Sequence, residues 1–305
     1  RMNQDFNKVF KTPKYTGVTL ALLSMFVLAC MMAVWNKLSV KTSGEHNSTS
    51  LEIICEKGLE AFIRPATRSF FDETRFNSKV SFVSSDELHS LISENIKSKV
   101  FIISEKNKLN LDEISEVNFF EEITIGFQPI DSEIPISPNA KVEPIYCVIG
   151  KGVKKPFHAY ALCRFIKSSD RGHSIMEENG FIPSEGDDWQ ITPSIIVYAT
   201  PELREELRSP LEDFSEREGV KVELNIKSSS SIEKTVSLIA KSQARQYLPD
   251  VLFGYVPDAN FKNLYSFFSK GKLTENIKIG CVSNSSKVWH TSQRMILGVG
   301  NYFGE

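Results

Sequence analysis

Few residues of this 305-residue chain have the types and spacing that catalysis requires. His158 and His173 fall within helical patterns and have no paired acid or nucleophile beside them in the sequence. No GxSxG, P-loop or HExxH motif occurs, and the five cysteines show neither a CxxC nor a Cys/His ligand spacing. We therefore predict that the protein is not an enzyme and has no catalytic residues, no metal site and no cofactor.

Two of the cysteines, Cys147 and Cys163, are a candidate disulfide pair if the protein folds in an oxidising compartment. Buried free thiols explain the same residues at least as well. The sequence leaves both alternatives open.

Two clusters of serines precede segments that have the hydrophobic spacing of a helix. Ser84 and Ser85 come before Leu88 and Leu91, and Ser228–Ser231 come before a second helical pattern. Serine is a favoured N-cap residue because its hydroxyl accepts a hydrogen bond from an early backbone N–H group of the helix. Capping alone explains both clusters without a ligand.

The elements around these serines follow the order β-α-β-α-β twice, about 144 residues apart. The strands of the first set are Leu51–Ile54, Lys79–Val83 and Val100–Ile103, and those of the second are Ile195–Tyr198, Lys221–Ile226 and Val251–Phe253. This order is typical of a parallel sheet with crossover helices. The sequence therefore predicts an α/β fold with mainly parallel sheets in two domains that arose by internal duplication.

A different segment lies between the two sets. Val142–Gly150 predicts a strand and Pro156–Ser168 a helix, which a shorter helix follows. The polar stretch Ser184–Gln190 then predicts a domain boundary. We place the first α/β domain at residues 51–186 and the second at residues 193–305, and the sequence leaves open whether the second is complete.

The segment Gly17–Trp35 contains 19 residues and no charge. As an α-helix it would extend for about 28 Å, close to the thickness of the hydrocarbon core of a bilayer. The tail before it, residues 1–16, carries four basic residues, whereas the linker after it, residues 36–50, carries two. This bias predicts a single-pass protein of the inner (cytoplasmic) membrane, with a cytoplasmic N-terminus and its bulk in the periplasm or outside the cell.

In this order the segments resemble the solute-binding proteins of bacterial ABC importers, in the molybdate-, sulfate- and iron-binding group. The opening pattern of that family is similar to IICEKGLEAFIRPATRSFFDE…KVSFVSSDEL, and again to IIVYATPELREELRSPLEDFSEREGVKVELNIKSSSSIEK. Its Asp-Val pair matches Asp250-Val251, and its closing helices resemble His158–Ser168 and Gly172–Phe181. The resemblance covers most of residues 51–183 and 193–270.

The resemblance implies that hydroxyl and N–H groups at helix starts hold an oxyanion, where the helix dipole favours negative charge. The matching positions are Ser84 and Ser85 in the first copy, and Thr200, Ser228, Ser229 and Ser230 in the second. Glu56, in the opening loop of the first copy, would repel an anion. Family members hold the ligand between two lobes, one inserted within the other. The 38 residues from Ser104 to Lys141 are too few for such an insertion, so each copy is expected to be a single lobe.

We therefore predict a membrane-anchored extracytoplasmic binding or scaffold protein, an accessory subunit whose partners are the lipid bilayer and other subunits of a membrane complex. The alternative is a working solute-binding protein of an ABC importer that takes a small oxyanion or a metal. In that case Ser84 and Ser85 would converge with Ser228–Ser230 across an interface. The net charge of −2, from 36 basic and 38 acidic residues, argues against nucleic acid as a partner.

Overall fold

The computed structural model describes residue 25 and residues 50–95, 98–108, 119–130, 141–242, 244–255, 262–268 and 280–302. The predicted anchor Gly17–Trp35 lies outside these residues except for Met25, which is helical and exposed. Among the described residues, no helix has both the length and the apolar character needed to cross a membrane. The segment Ser50–Glu305 forms one compact unit that contains two β-sheets. The first and second domains are the parts of this one unit that are built on the first and the second sheet.

In the described part of the chain, the first sheet has six strands. They are β1 (Leu51–Glu56), β2 (Ser78–Val83), β3 (Val100–Ser104), β4 (Phe119–Pro129), β5 (Val142–Gly150) and β6 (Ile182–Pro183). Their spatial order is β2-β1-β3-β5-β4-β6. Strands β1, β2 and β3 are parallel, whereas β5, β4 and β6 pair in antiparallel fashion.

The second sheet has five strands within the same described ranges. They are β7 (Ser194–Ala199), β8 (Lys221–Ile226), β9 (Val251–Phe253), β10 (Tyr265–Phe268) and β11 (Gly280–Ser283). Their spatial order is β8-β7-β9-β11-β10, with β7 parallel to β8 and β9 and the other pairs antiparallel. Five strands of the first sheet, β2-β1-β3-β5-β4, have the same order and directions.

Helices cover both faces of each sheet, which is why the central strands are apolar on both faces. In the first domain, α1 (Glu60–Thr74), α3 (Pro156–Lys167) and α4 (Gly172–Glu178) pack on one face and α2 (Ser85–Asn95) on the other. In the second domain, α5 (Arg204–Glu218) and α7 (Trp289–Tyr302) pack on one face and α6 (Ser229–Lys241) on the other.

The α/β class and all six strands of the two predicted sets are confirmed, although each sheet is mixed rather than mainly parallel. The strand Val142–Gly150 and the helix after it are confirmed as well. The sequence did not predict β4, β6, β10, β11 or α7. Of the antiparallel strands in the described residues, it predicted only β5.

Gly219 ends α5 in the left-handed backbone conformation, with φ of 65°, and lies against Phe157 of α3. A Cβ atom at this position would meet the Cβ atom of Phe157 at 3.1 Å. Gly180 has a similar φ of 79° but no atom within 4 Å of such a Cβ, so it is a matched control for the backbone effect alone.

We expect Gly219→Ala to lower the free energy of unfolding by about 2 kcal/mol and Gly180→Ala by about 1 kcal/mol, since both introduce backbone strain and only the first crowds a neighbour. Urea unfolding of the two variants and the parent measures the difference. Equal losses would show that the close approach of α3 to α5 at Gly219 is not a tight contact.

Candidate functional site

The carboxyl end of β2 in the first domain is closed by a reciprocal cap. The backbone N–H and the hydroxyl of Ser84 each donate to a Glu87 carboxylate oxygen at 3.0 Å, and the Glu87 N–H donates back to Ser84 Oγ at 3.4 Å. This is the Ser-x-x-Glu capping box. The two bonds from Ser84 hold the pKa of Glu87 below its ordinary value, so a negative charge already lies at the start of α2.

Two further carboxylates take N–H groups at the same edge. Glu56, at the end of β1, accepts from the backbone N–H of Ser104 at 3.0 Å. Glu143 of β5 accepts from the backbone N–H of Lys106 at 2.8 Å. The Ser85 hydroxyl accepts from the side chain of buried Asn107 at 3.2 Å. Lys57 lies close enough to help lower the pKa of Glu87. The carboxylates of Glu56, Glu87 and Glu143 nevertheless occupy the N–H groups of this edge, and their negative charge repels an external anion.

The equivalent edge of the second domain carries hydroxyls and an ammonium group. Strands β7 and β8 end side by side, because Ala199 pairs with Ile226 and the Lys227 N–H donates to the Ala199 carbonyl at 2.9 Å. Ser228 caps α6 by accepting from the Ser231 N–H at 3.3 Å, and its Oγ lies 3.2 Å from that of Ser230.

Thr200 and Lys227 complete this edge. The Thr200 side chain is buried. Gly254, which follows β9 and has φ of 71°, lies next to it, and a Cβ atom at position 254 would come within 2.4 Å of Thr200 Oγ1. The absence of a side chain on Gly254 therefore makes room for Thr200. Lys227 Nζ lies 4.0 Å from the centroid of the Tyr198 ring, a cation–π contact that leaves its positive charge unneutralised. Among the described residues, no hydrogen bond of Thr200, Lys227 or the α6 serines involves a carboxylate.

A group of ionised side chains joins the two domains at the other end of the strands, since Glu218 precedes β8 and Glu121 lies near the start of β4. Arg294 of α7 donates to Glu218 Oε1 at 2.9 Å and to Glu121 Oε2 at 3.1 Å. The Tyr160 hydroxyl donates to the same oxygen of Glu121 at 3.2 Å, and the Arg294 guanidinium lies 5.0 Å from the Tyr160 ring. Burial lowers the pKa of Arg294, but the carboxylates of Glu218 and Glu121 outweigh it and raise the pKa overall, so Arg294 stays charged.

Asp187 forms a second link across this interface. Its carboxylate accepts from the backbone N–H groups of His290 at 2.8 Å and Thr291 at 2.9 Å, and from the Thr291 hydroxyl at 2.6 Å. Asp187 therefore caps the N-terminus of α7, where the dipole favours a negative charge. Although Asp187 lies in the polar stretch Ser184–Gln190, its partners are more than 100 residues away in the sequence.

The candidate disulfide between Cys147 and Cys163 is not formed. Both cysteines are buried free thiols, and Cys147 is hydrogen-bonded to Cys163. That bond and burial raise the pKa of Cys147 well above its ordinary value, so the thiol stays protonated and unreactive. Of the two alternatives that the sequence leaves open, the structure has the free thiols.

Burial raises the pKa of the Glu218 carboxyl above its ordinary value of 4.5, although Arg294 opposes the shift. A carboxyl with a raised pKa binds its proton more readily in the folded protein than in the unfolded chain. Its contribution to stability is therefore largest at acidic pH and falls as the pH rises above 4.5.

We expect Glu218→Gln, which removes this titration, to gain stability relative to the parent as the pH rises from about 4 to about 7. Urea unfolding of both proteins at each pH gives the difference in unfolding free energy. A difference that stays constant, or that favours the parent increasingly at higher pH, would contradict the raised pKa.

The structure places the predicted ligand-binding residues at the carboxyl ends of strands or at the helix starts that follow them. Within the described residues, no hydrogen bond joins Ser84 or Ser85 to Thr200 or to Ser228–Ser230. Sequence reasoning missed Lys227, although its position next to Ser228 was a usable signal. It also missed the Glu87 carboxylate, which the Ser-x-x-Glu spacing indicates.

No protein-family model matches the chain, and no curated protein matches it. Among solved structures, a periplasmic molybdate-binding protein of Azotobacter vinelandii is 11% identical, with 82% of this chain and 93% of that chain covered and a TM-score of 0.23. The phosphate-binding protein of a phosphate ABC transporter from Streptococcus pneumoniae TIGR4 is 12% identical, with 83% and 96% covered and a TM-score of 0.17. TM-scores this low do not establish a shared fold.

Proposed function

We propose that this chain is a non-catalytic binding protein whose second domain holds a small oxyanion at the ends of β7 and β8. One observation carries the proposal: two edges with the same strand order differ in charge. In the first domain the carboxylates of Glu56 and Glu87 accept the edge N–H groups. In the second domain the same place has the ammonium group of Lys227 beside the exposed hydroxyls of Ser228–Ser230.

The chemistry of this edge suits a tetrahedral oxyanion such as phosphate, sulfate or molybdate. The first N–H groups of α6 have no acceptor within the helix, and the helix dipole adds partial positive charge there. Hydrogen bonds to a charged group contribute about 1.5–3 kcal/mol each. Two of them reach about the 4 kcal/mol that corresponds to a Kd near 1 mM. The site is open, so weak and salt-sensitive binding is expected.

The test compares Ser85 with Ser229. These positions are equivalent, because Ser85 is the first residue of α2 and Ser229 is the first residue of α6. A carboxylate in the first turn interacts favourably with the dipole of either helix, but it repels a bound anion. We expect isothermal titration of the full chain with phosphate, sulfate and molybdate at low salt to give saturable binding of at least one anion. Ser229→Asp should weaken it by at least about tenfold.

The matched variant Ser85→Asp should bind the same anion within about twofold of the parent. The proposal fails if none of the three anions binds, or if Ser229→Asp binds as the parent does. Equal weakening by both variants would also contradict it, since the site would then not belong to the second domain.

We further propose that the two domains arose by internal duplication and lie outside the cytoplasm, behind the anchor Gly17–Trp35. The order and directions of five strands, repeated in the second sheet, support the duplication. The uncharged length of the segment and its basic flank support the anchor. Protease added to cells with a permeabilised outer barrier should degrade residues 50–305; full protection would contradict this orientation.

A second candidate function is a scaffold, as an accessory subunit of a membrane protein complex. The specific observation in its favour is the ionised contact among Arg294, Glu218 and Glu121, which fixes the two domains to each other. Purification in mild detergent followed by mass spectrometry should then recover other membrane proteins in stoichiometric amounts. A chain that purifies alone and binds an anion supports the first candidate instead.

A further inference from the structure

A groove of about 390 Å³ lies between the two domains, on the side of the interface where α3 meets the end of α5. Its apolar lining comes from both domains, with Phe76, Phe157 and Ala161 from the first and Ile191 and Val220 from the linker and the second; Thr192 and Ser215 add hydroxyl groups. The volume falls within the range of about 300–1,000 Å³ that small-molecule sites occupy, and such sites favour domain interfaces.

Of the two cations that line the described part of this groove, Lys221 pairs with the Glu223 carboxylate at 2.6 Å, which leaves Arg164 of α3. Its Nη1 donates to the backbone carbonyl of Glu218 at 2.8 Å and its Nη2 to that of Ile191 at 3.5 Å. Its Nε is buried and has no hydrogen-bond partner, and none of the ion pairs within 4.0 Å in the described part of the chain includes Arg164. Buried cations are normally paired with an anion. A ligand carboxylate can supply this pairing at Nη2, whose long bond to Ile191 lies on the exposed side of the guanidinium.

The lowered pKa of Arg164 agrees with its lack of an ion-pair partner among the described residues. Burial lowers the pKa of Arg164 to about 10, and the charge of Glu218 only partly opposes the shift. Arg164 also borders a cavity of about 20 Å³ beside Glu218 and Arg294, which has room for about one water molecule and not for a solute. The groove is the side on which an organic ligand fits.

We propose that this groove binds a small organic carboxylate with an apolar body, the carboxylate against Arg164 and the body between Phe76, Phe157 and Val220. The site is separate from the oxyanion edge. Lys221, at the start of β8, borders the groove, whereas Lys227, at the oxyanion edge, follows the end of the same strand. Six residues of extended chain separate these two lysines by about 20 Å. A guanidinium with an apolar wall selects an amphipathic anion over an inorganic one.

The probe is 3-phenylpropionate, measured by isothermal titration against the full chain. Its neutral isostere 3-phenylpropionamide and acetate, which lacks the apolar body, are the comparison ligands. We expect saturable binding of 3-phenylpropionate and at least about tenfold weaker binding of both comparison ligands, since each lacks one half of the interaction. No saturable binding of 3-phenylpropionate, or equal binding of the amide, overturns the proposal.

The variant Ile191→Glu tests whether 3-phenylpropionate binds in this groove, and it does not remove a buried side chain. Ile191 is 45% exposed, and its own carbonyl accepts from Arg164, so a glutamate here places a carboxylate close to the guanidinium. We expect at least about tenfold weaker binding of 3-phenylpropionate. Leu238→Glu, at a 60% exposed leucine of α6 outside the groove, is the matched control and should change it by less than about twofold.

Parent-like binding by Ile191→Glu overturns the proposal, as does equal weakening by Leu238→Glu. Ser229→Asp separates this site from the oxyanion edge, because it should leave 3-phenylpropionate binding unchanged while it weakens binding of the inorganic anion. If Ser229→Asp weakens both, the groove is not an independent site.

Discussion

Arg294→Met is expected to lower the free energy of unfolding by about 3 kcal/mol, the lower end of the effect of removing one partner from a buried ion pair. The variant leaves Glu218 buried and without the partner that now donates to it at 2.9 Å. Glu121 loses its bond at 3.1 Å as well. Arg217, 3.5 Å from Glu218, remains and keeps the loss from being larger. Equilibrium unfolding in urea measures the change.

Arg208→Met is the matched control. Arg208 pairs with Glu212 at 3.2 Å, but both side chains are exposed. Exposed ion pairs contribute at most about 1 kcal/mol, so this substitution should cost little. Similar losses for the two variants would show that the Arg294 contacts are no stronger than surface pairs. The double variant Arg294→Met with Glu218→Leu should recover part of the loss, because it removes the unpaired charge.

Phe70→Ala is expected to lower the free energy of unfolding by about 3–5 kcal/mol. Phe70 of α1 is 1% exposed and packs edge-on against three aromatic rings: Phe76 at 6.0 Å between centroids, Phe165 at 5.6 Å and Trp189 at 6.0 Å. Trp189 belongs to the linker between β6 of the first sheet and β7 of the second. The cavity left by an alanine would therefore loosen both the first core and the attachment of the linker.

The neighbouring residue Phe71 supplies the control on the same turn of α1. It is 38% exposed, and its ring contacts Arg75 at 5.8 Å on the surface. Phe71→Ala should cost no more than about 1 kcal/mol. Thermal or urea unfolding of the two alanine variants measures the contrast. A loss below about 1 kcal/mol for Phe70→Ala would mean that the aromatic cluster does not hold the linker.

The parallel part of each sheet could be predicted because its signals are local. Strand β3 is an uninterrupted apolar run, and the buried face of α1 repeats at helical spacing through Phe62, Ile63, Ala66 and Phe70. The antiparallel strands were harder. Strand β10 has four residues, and β11 is a short segment with a glycine at its start. For runs this short, periodicity alone does not distinguish a strand from a segment of buried helix.

The interface between the domains could not be predicted for a different reason. Arg294 lies 76 residues from Glu218 and 173 from Glu121, and the helix cap from Asp187 reaches 104 residues along the chain. Each of these residues has a charged side chain, the type usually found on a protein surface, so its residue type does not indicate a buried interface. Only the packing of α7 against α5, and of α5 against α3, shows that these charges meet. A single sequence contains no record of that packing.

The edge of the second domain was partly predictable. The serines were found because capping chemistry is local, as in the bond from the Ser231 N–H to Ser228. The difference in charge between this edge and the edge of the first domain could be predicted only in part. Glu56 was recognised as repelling an anion, whereas the Glu143 carboxylate reaches Lys106 from a strand 37 residues away. The charge difference on which the proposed function depends is therefore a property of the fold.

The most direct test of that function is an amide ¹H–¹⁵N NMR titration of the ¹⁵N-labelled chain with the anion that binds best. Anion binding at the start of α6 predicts saturable shifts of the Ser229, Ser230 and Ser231 amides, with those of Ser84 and Ser85 unmoved. Shifts that do not saturate, or that are as large at Ser84 and Ser85 as at α6, would contradict the account, because the anion would then be binding without regard to the charge difference between the two edges.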